Sequence, residues 1–176
     1  MLIAFSACSG NTASDKETTD STTVNNYIGE GFKQTLSLLV ESNRIFVEDV
    51  FIERTLTVDE SKPKKDGLTT YYPVIEDTIT SYSSLINTLK ATYTEETVQE
   101  LLKDNIYKEI DGKLYCKNKH ILNHEETQAS EIIIEGVSVT NEKCIFKISS
   151  STEEEIEMTA VYDNGTWKLD KVYTEI

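Results

Sequence analysis

The alternation of apolar and polar positions divides the chain into a helical half and a strand half. From about residue 26 to residue 50, apolar side chains recur at the three- and four-residue spacing of one helix face. Two shorter helices are expected over residues 81–92 and after Thr94, whose hydroxyl can cap the exposed backbone amides of the helix that follows. The pattern therefore predicts three helices, each with one apolar face directed at a common core.

Strand patterns occupy most of the remaining chain. Residues 52–58 alternate between apolar and polar, and residues 68–75 are rich in Tyr, Thr and Val, so the two runs predict a hairpin around the charged loop 59–67. The dipeptides Asp111-Gly112 and Asn164-Gly165 predict two tighter hairpins, because both residue types tolerate the positive φ that such turns require. Four further strands are expected at residues 131–139, 143–149, 155–162 and 166–173.

The fold class predicted by these elements is α+β, with N-terminal helices packed on a curved, mostly antiparallel β-sheet that has tight hairpins. Hydrophobic residues make up 38% of the 176 residues, which is enough for one core, so we expect residues 27–176 to form a single domain. Residues 8–26 are rich in Ser, Thr, Asn and Asp and predict a flexible polar tether.

The apolar run 1–7 ends in small residues directly before Cys8. This pattern resembles the lipobox of bacterial lipoproteins, in which the cysteine receives a diacylglycerol after the signal is cleaved. The resemblance implies a protein of the cell envelope, anchored through the lipid on Cys8 to the outer face of the cytoplasmic membrane. Since the run lacks a basic start and a full-length apolar segment, we expect part of the signal to precede Met1.

The charge balance narrows the classes of partner. Seventeen basic and 31 acidic residues give a net charge of −14. This charge argues against nucleic acid and against electrostatic adsorption to anionic lipid. A basic protein or polymer is the natural partner, although an acidic surface also serves simply to keep an exported protein soluble.

Few residues offer catalytic or metal-binding chemistry. Cys116, His120 and His124 have the spacing C-x3-H-x3-H, which would suit zinc on a helix, but their position after a strand favours an exposed loop without a metal. No papain-type, serine-hydrolase or nucleotide-binding motif occurs, so we expect neither an enzyme nor a cofactor. Cys116 and Cys144 are expected in one sheet, either as a disulfide or as two buried thiols.

Four short stretches, taken in order, carry a family resemblance. They are IFVEDVF at 45–51, YYPV at 71–74, YTEET at 93–97 and YKEIDGKLY at 107–115. Their order and spacing resemble the IseA family of DL-endopeptidase inhibitors. The resemblance implies an extracytoplasmic protein that binds NlpC/P60 cysteine peptidases, which cleave peptidoglycan stem peptides, and covers their active-site cleft without a covalent bond. We expect the peptidase to be basic and the inhibitor to be a monomer.

The C-terminal strands leave a second interpretation open. The stretch NGTWKL at 164–169 equally resembles the sheet ending of NTF2-like or cystatin-like lipoproteins. That resemblance implies either a small ligand held between the helices and the sheet or an accessory module of an envelope complex.

For the inhibitor, we expect contacts from carboxylates near the hairpin at 59–67, because they would steer a basic peptidase and complement the rim of its cleft. An exposed tyrosine beside them would serve as an anchor. The candidates are Asp59, Glu60, Asp66, Tyr71, Tyr72, Glu76 and Asp77. Each also has an explanation without a partner, since loop carboxylates are commonly only solvated and strand tyrosines commonly belong to the core.

Overall fold

The computed structural model describes residues 29–117, 132–149 and 155–174. The helical elements are α1 (Glu30–Arg44), a π-helical segment (Ile45–Glu53), α2 (Tyr82–Thr92) and α3 (Glu95–Leu102). The strands are β1 (Lys64–Asp66), β2 (Thr69–Pro73), β3 (Tyr107–Ile110), β4 (Lys113–Lys117), β5 (Ile133–Val139), β6 (Lys143–Ser149), β7 (Glu155–Asp163) and β8 (Thr166–Leu169). They form two antiparallel sheets, ordered β1-β2-β4-β3 and β5-β6-β7-β8. The expected α+β class is therefore confirmed, with two sheets in place of one.

The first predicted helix is present, but its winding changes at Ile45. The buried side chains of the π-helical segment are Phe46, Val47, Val50 and Phe51. Phe46 and Phe51 are five residues apart, a spacing that an α-turn of 3.6 residues would place on different sides of the helix. The wider π-turn, which closes hydrogen bonds five residues apart, brings both rings to the core. Arg54 then ends the segment in the left-handed conformation, with φ 55°.

This winding overturns part of the strand prediction for residues 52–58. Ile52 and Glu53 belong to the π-helical segment, so no strand begins there. Val58 makes only an isolated bridge to Val74, just beyond the end of β2. The apolar and polar alternation of this short run fits a strand and a buried helix end equally well, which is why the pattern misled.

The hairpin predicted around residues 59–67 exists with a different turn. β1 begins inside the predicted loop and pairs with β2 in three antiparallel positions, from Lys64 opposite Tyr71 to Asp66 opposite Thr69. Gly67 has φ +60° and is followed by Leu68 at the centre of the turn. The prediction took Gly67 as the end of a loop, whereas it is the first central residue of the turn.

The other two predicted turns are confirmed. Asp111 and Gly112 have φ values of 50° and 74°, and Asn164 and Gly165 have φ values of 50° and 88°. Positive φ at both central residues is the geometry of a type I′ hairpin. These turns fix the register of β3 with β4 and of β7 with β8.

The four strands predicted in the C-terminal part are present, and they form the second sheet in the order β5-β6-β7-β8. Alternate residues of β6 and β7 point into the core, namely Cys144, Phe146, Ile148, Met158 and Ala160. β5, at the edge, carries a bulge between Glu135 and Ser138 in which Gly136 has φ +59°. β8 ends at Leu169, four residues before the predicted end at 173. The Leu169 carbonyl accepts a hydrogen bond from the Thr94 N–H at 3.0 Å.

The two described cysteines lie in different sheets, so their expected placement in one sheet is wrong. Cys116 is on β4 and Cys144 is on β6, and both are buried thiols that form no disulfide with each other. Burial raises the pKa of the Cys144 thiol to about 12. That thiol therefore stays protonated and unreactive at neutral pH.

Asn43 of α1 ties the helices to the second sheet. Its fully buried side chain donates from Nδ2 to the Tyr173 carbonyl at 2.7 Å. Its Oδ1 accepts from the Tyr93 hydroxyl at 2.9 Å and from the Tyr173 N–H at 3.1 Å. The Tyr173 hydroxyl accepts in turn from the Thr159 N–H of β7 at 2.6 Å. The network thus joins α1, the end of α2, the segment after β8, and β7.

Removal of this amide should destabilise the whole fold. Asn43→Ala leaves two backbone groups and one phenol hydroxyl buried without partners, so we expect the free energy of unfolding to fall by about 2–4 kcal/mol. Tyr93→Phe removes only one of the three bonds and should cost about 0.5–1.5 kcal/mol. Urea unfolding followed by the fluorescence of Trp167 measures both. Equal costs for the two variants would contradict the role of Asn43 as a shared partner.

Candidate partner-binding surface

The first sheet curls until its two edge strands face each other. Lys64 of β1 pairs with Asp111 of the β3–β4 turn, and Asp66 of β1 pairs with Lys108 of β3. In a flat sheet of this order the edge strands lie three spacings apart, or about 14 Å, so the ion pairs form because the sheet curves. We call strands β1 to β4 the half-barrel.

Two tyrosines lie beneath these ion pairs on the concave face of the half-barrel. Tyr71 and Tyr115 are each only 5% exposed, although neither joins the main core. The Lys108 ammonium lies 5.4 Å from the centre of the Tyr71 ring, and the Lys64 ammonium lies 5.5 Å from the centre of the Tyr115 ring. The lysines cover the rings with their apolar stems and bind them through cation–π contacts. Of the two tyrosines considered as an exposed anchor, Tyr71 is therefore buried.

The ionisation of Lys64, Asp111 and Lys108 is perturbed in the direction that stabilises their charged forms. The hydrogen bond from Lys64 holds the pKa of Asp111 below its ordinary value, and the same bond raises the pKa of Lys64. The bond to Asp66 likewise raises the pKa of Lys108. Because all four groups remain open to solvent, these pairs contribute little to stability and act chiefly to fix geometry.

The candidate contact residues lie at the two opposite ends of β2. Asp66 lies opposite Thr69 at the end that carries the turn, whereas the Asp59 N–H donates to the Pro73 carbonyl at the other end, at 2.9 Å. Five residues of strand separate these ends by about 13 Å. The acidic residues therefore do not form one continuous patch.

Four of the candidates belong to the end of β2 that is remote from the turn. This acidic end consists of Asp59, Glu60, Glu76 and Asp77. Hydrogen bonds from Ser61, followed by the contact with Lys62 at 2.9 Å, lower the pKa of Asp59 to about 2. The Thr57 N–H donates to Glu76 at 3.0 Å and lowers the pKa of that carboxyl as well. Both groups are thus ionised throughout the neutral range.

At the opposite end, the turn of the hairpin exposes an apolar residue that the sequence analysis missed. Leu68 is fully exposed, at 107% of its reference area. The available signal was Gly67 itself, because glycine at the first central position of a two-residue turn leaves the next residue as the second central one. Tyr72 is half-buried, and its register opposite Cys116 puts it on the face directed at the core.

Three residues considered for chemistry, Cys8, His120 and His124, lie outside the described residues. Over the part of the chain that the structure describes, no helix has the length and apolar character required to cross a bilayer.

The comparison with protein families identifies the class to which this architecture belongs. Residues 32–173 match the family described as IseA DL-endopeptidase inhibitor. The chain therefore belongs to this family, and the match runs from the first turn of α1 to Tyr173, four residues beyond the end of β8. No curated protein matches the chain at a significant level. The family description is that of a peptidase inhibitor, as the four sequence stretches implied.

Two substitutions at Asp111 should separate its two roles. Asp111→Asn removes the charge pair with Lys64 but keeps a residue that tolerates φ 50°, so we expect the melting midpoint to change little. Asp111→Ala adds strain in the left-handed region and should lower the midpoint by about 3–6 °C. Differential scanning calorimetry tests this. A loss for Asn as large as that for Ala would show that the ion pair dominates over the backbone conformation.

Proposed function

We propose that this protein binds a basic cell-wall DL-endopeptidase of the NlpC/P60 class and inhibits it by covering the active-site cleft without a covalent bond. The observation that carries the proposal is the family match over residues 32–173, which includes both described sheets, α2, α3 and all but the first two residues of α1. The match also includes the stretch 164–169, whose resemblance to other lipoproteins had left a second interpretation open.

Blocking a cleft requires a projecting surface that is already in its bound shape. Binding is stronger when few groups must be ordered on association. In the half-barrel, β1 is paired to β2. It is also held to β3, whose Lys108 donates to Asp66, and to the β3–β4 turn, where Asp111 accepts from Lys64. These contacts pre-organise the β1–β2 hairpin, which we assign as the element that enters the cleft.

In the proposal, long-range electrostatic attraction orients the inhibitor and the peptidase as they associate. The net charge of −14 attracts a basic enzyme, and electrostatic complementarity raises the association rate more than it deepens the affinity. In our proposal the acidic end meets the rim of the cleft, with the exposed Glu60 and Asp77 as its most accessible carboxylates. Asp66 and Tyr72 lie along the same hairpin. Tyr71 supports the hairpin from below, because its ring is buried.

The alternative of a small-ligand protein receives no support from the interior. At the centre of the layer between the helices and the second sheet, Leu36, Leu85, Phe146 and Met158 are all 0% exposed. A hollow of about 670 Å³ between α1 and β5 lies at the edge of this layer and is open to solvent. A hollow of about 480 Å³ beside Glu76 and the π-helical segment lies at the surface. We therefore retain the inhibitor as the proposed function.

In the proposal, the lipid on Cys8 places the inhibitor at the outer face of the cytoplasmic membrane. Residues 8–26 then act as a polar tether that lets residues 27–176 reach enzymes in the adjacent wall. The tether raises the local concentration of the inhibitor near the membrane and makes no contact with the enzyme. Inhibition would follow from residues 27–176 alone.

A direct titration tests the inhibition. The Cys8→Ser chain is added to a purified NlpC/P60 peptidase, and hydrolysis of peptidoglycan stem peptides is measured. We expect stoichiometric loss of activity, relieved by added substrate, with an inhibition constant that rises about tenfold between 50 and 300 mM salt. Undiminished hydrolysis at a large molar excess would exclude the proposal.

Two charge variants make the titration specific to the acidic end. One variant neutralises that end with Asp59→Asn, Glu60→Gln, Glu76→Gln and Asp77→Asn. A matched control removes the same number of charges around α3 with Glu95→Gln, Glu96→Gln, Glu100→Gln and Asp104→Asn. We expect the first variant to associate more slowly and to lose most of the salt dependence, and the control to retain both. Equal association rates and equal salt dependence of the two variants would show that only the net charge of the protein matters.

Substitution of the anchoring cysteine tests the proposed location. In cells, Cys8→Ser should release the protein from the membrane fraction, because no diacylglycerol can be attached. Fractionation and immunoblotting measure the release, with Cys116→Ser as the matched control that keeps the lipid. Continued membrane retention of the Cys8 variant would contradict a lipid anchor at this residue.

A further inference from the structure

The hollow of about 480 Å³ at the surface lies where the π-helical segment meets α2 and the chain that follows β2. The π-helical segment supplies Ile45 and Asp49, the chain between β2 and α2 supplies Glu76, and α2 supplies Thr88. A volume of this size falls within the range of ligand sites in proteins. We call the hollow lined by these residues the socket.

The walls of the socket are largely apolar. Phe46, Val50, Leu56 and Ile79 line it, and each of these side chains is between 4% and 8% exposed. Ile45 adds a larger apolar surface, because 38% of it is exposed. A hydrocarbon chain placed against these walls would remove apolar surface from water on both sides of the contact.

The threonine hydroxyls of the socket are left as hydrogen-bond acceptors. The Thr55 hydroxyl donates its proton to the Asp49 carbonyl at 3.1 Å, and the Thr88 hydroxyl donates to the Ser84 carbonyl at 2.8 Å. Each hydroxyl oxygen therefore keeps lone pairs but has no proton to offer a ligand. A ligand that only donates hydrogen bonds suits these oxygens.

Two carboxylates line the socket without a counter-ion. Within the described part of the chain, neither Asp49 nor Glu76 forms an ion pair, and no hydrogen bond engages the Asp49 carboxylate. The Thr57 N–H donates to Glu76 and lowers the pKa of that carboxyl, which keeps it ionised at neutral pH. None of the described residues that line the socket is basic. An organic cation would supply the missing positive charge.

The position of Asp49 is fixed by its own backbone carbonyl. That oxygen accepts from the N–H groups of Arg54 and Thr55, the latter at 2.8 Å, in addition to the Thr55 hydroxyl. Four residues are close to one π-turn, so the Asp49 side chain leaves the segment on the same side as Ile45. An acceptor that is already in place loses little entropy when a ligand binds.

A metal ion is a poorer occupant of the socket than an organic cation. Ca²⁺ and Mg²⁺ take about six to eight oxygen ligands, whereas the socket combines two carboxylates with apolar walls. Among the described residues, no group of three or more His, Cys, Asp or Glu side chains could hold a metal. A lysine or arginine side chain has an aliphatic stem and a cationic head that only donates, so it matches both the walls and the acceptors.

We infer that the socket binds a lysine or arginine side chain presented by the peptidase. The inference rests on the proposed function, and it adds one defined contact to the general attraction of opposite charges. Glu76 belongs both to the acidic end and to the socket, so the two are continuous. The acidic end speeds the encounter, whereas a cation held in the socket slows dissociation.

Small cations test the socket without the peptidase. The Cys8→Ser chain is titrated, at constant ionic strength, with n-butylammonium and n-propylguanidinium chloride, which carry the ends of the lysine and arginine side chains. Methyl NMR spectra should show saturable shifts at Ile45, Val50 and Ile79, with dissociation constants of about 1–50 mM. n-Butanol, which has the stem without the charge, and ammonium chloride, which has the charge without the stem, should bind at least about tenfold more weakly.

Matched variants connect the socket with inhibition. Asp49→Asn removes a charge from the socket, whereas Asp77→Asn removes a charge from the acidic end outside the socket. Asp49→Asn should weaken fragment binding and inhibition about 5- to 20-fold, the latter through faster dissociation of the peptidase. Asp77→Asn should leave fragment binding unchanged and alter inhibition by about twofold or less, through slower association. Thr88→Lys places a cation of the chain itself at the socket and should block fragment binding.

The outcomes separate the socket from the proposed function. Absence of saturable shifts with both cations would overturn the socket, whether or not the parent chain inhibits the peptidase. Equal binding of n-butanol and n-butylammonium would contradict a site for cations. Equal inhibition constants for Asp49→Asn and Asp77→Asn would overturn the peptidase as the source of the side chain. Absence of inhibition by the parent chain would overturn the proposed function and, with it, the assignment of the socket to the peptidase.

Discussion

The buried amide of Asn43 is the interaction on which the arrangement of the helices depends. A carboxamide can donate and accept at once, and here it serves Tyr93 at the end of α2 and both backbone groups of Tyr173. A leucine at this position of the apolar stripe would pack, but it would leave those groups without partners in a low-dielectric interior. The amide therefore specifies one docking of α1 among several that hydrophobic burial alone would permit.

The buried hydroxyl of Tyr107 fixes the first sheet, as the Asn43 amide fixes the second sheet. Tyr107 of β3 donates to the Val50 carbonyl at 2.6 Å, and its ring meets Phe51 edge-on at 5.7 Å between ring centres. The π-helical segment is thereby fixed against the half-barrel, while α1 and α2 are fixed against the second sheet. One helical layer consequently orients both sheets, and the position of the projecting hairpin is set by contacts far from its tip.

Local chemistry in the sequence was sufficient for helices α2 and α3, for the cap at Thr94 and for the turns at Asp111-Gly112 and Asn164-Gly165, because each depends on neighbouring residues. The π-helical winding and the burial of Tyr71 were out of reach. Tyr71 is covered by Lys108, which is distant in sequence and arrives only when the first sheet curls. The sequence could likewise supply the candidate contact residues but not their arrangement in space. Which of them lie together depends on where the β1–β2 hairpin turns.

The bulge at Gly136 has a consequence for how copies of this protein meet. β5 is an edge strand, and an edge strand offers unpaired N–H and C=O groups to any strand of another molecule. The left-handed glycine interrupts the spacing of those groups midway, between Glu135 and Ser138. A strand from a second molecule could follow the edge for only two or three residues before losing register. The irregularity thus hinders sheet-to-sheet aggregation at β5, the longer of the two described edges of the second sheet.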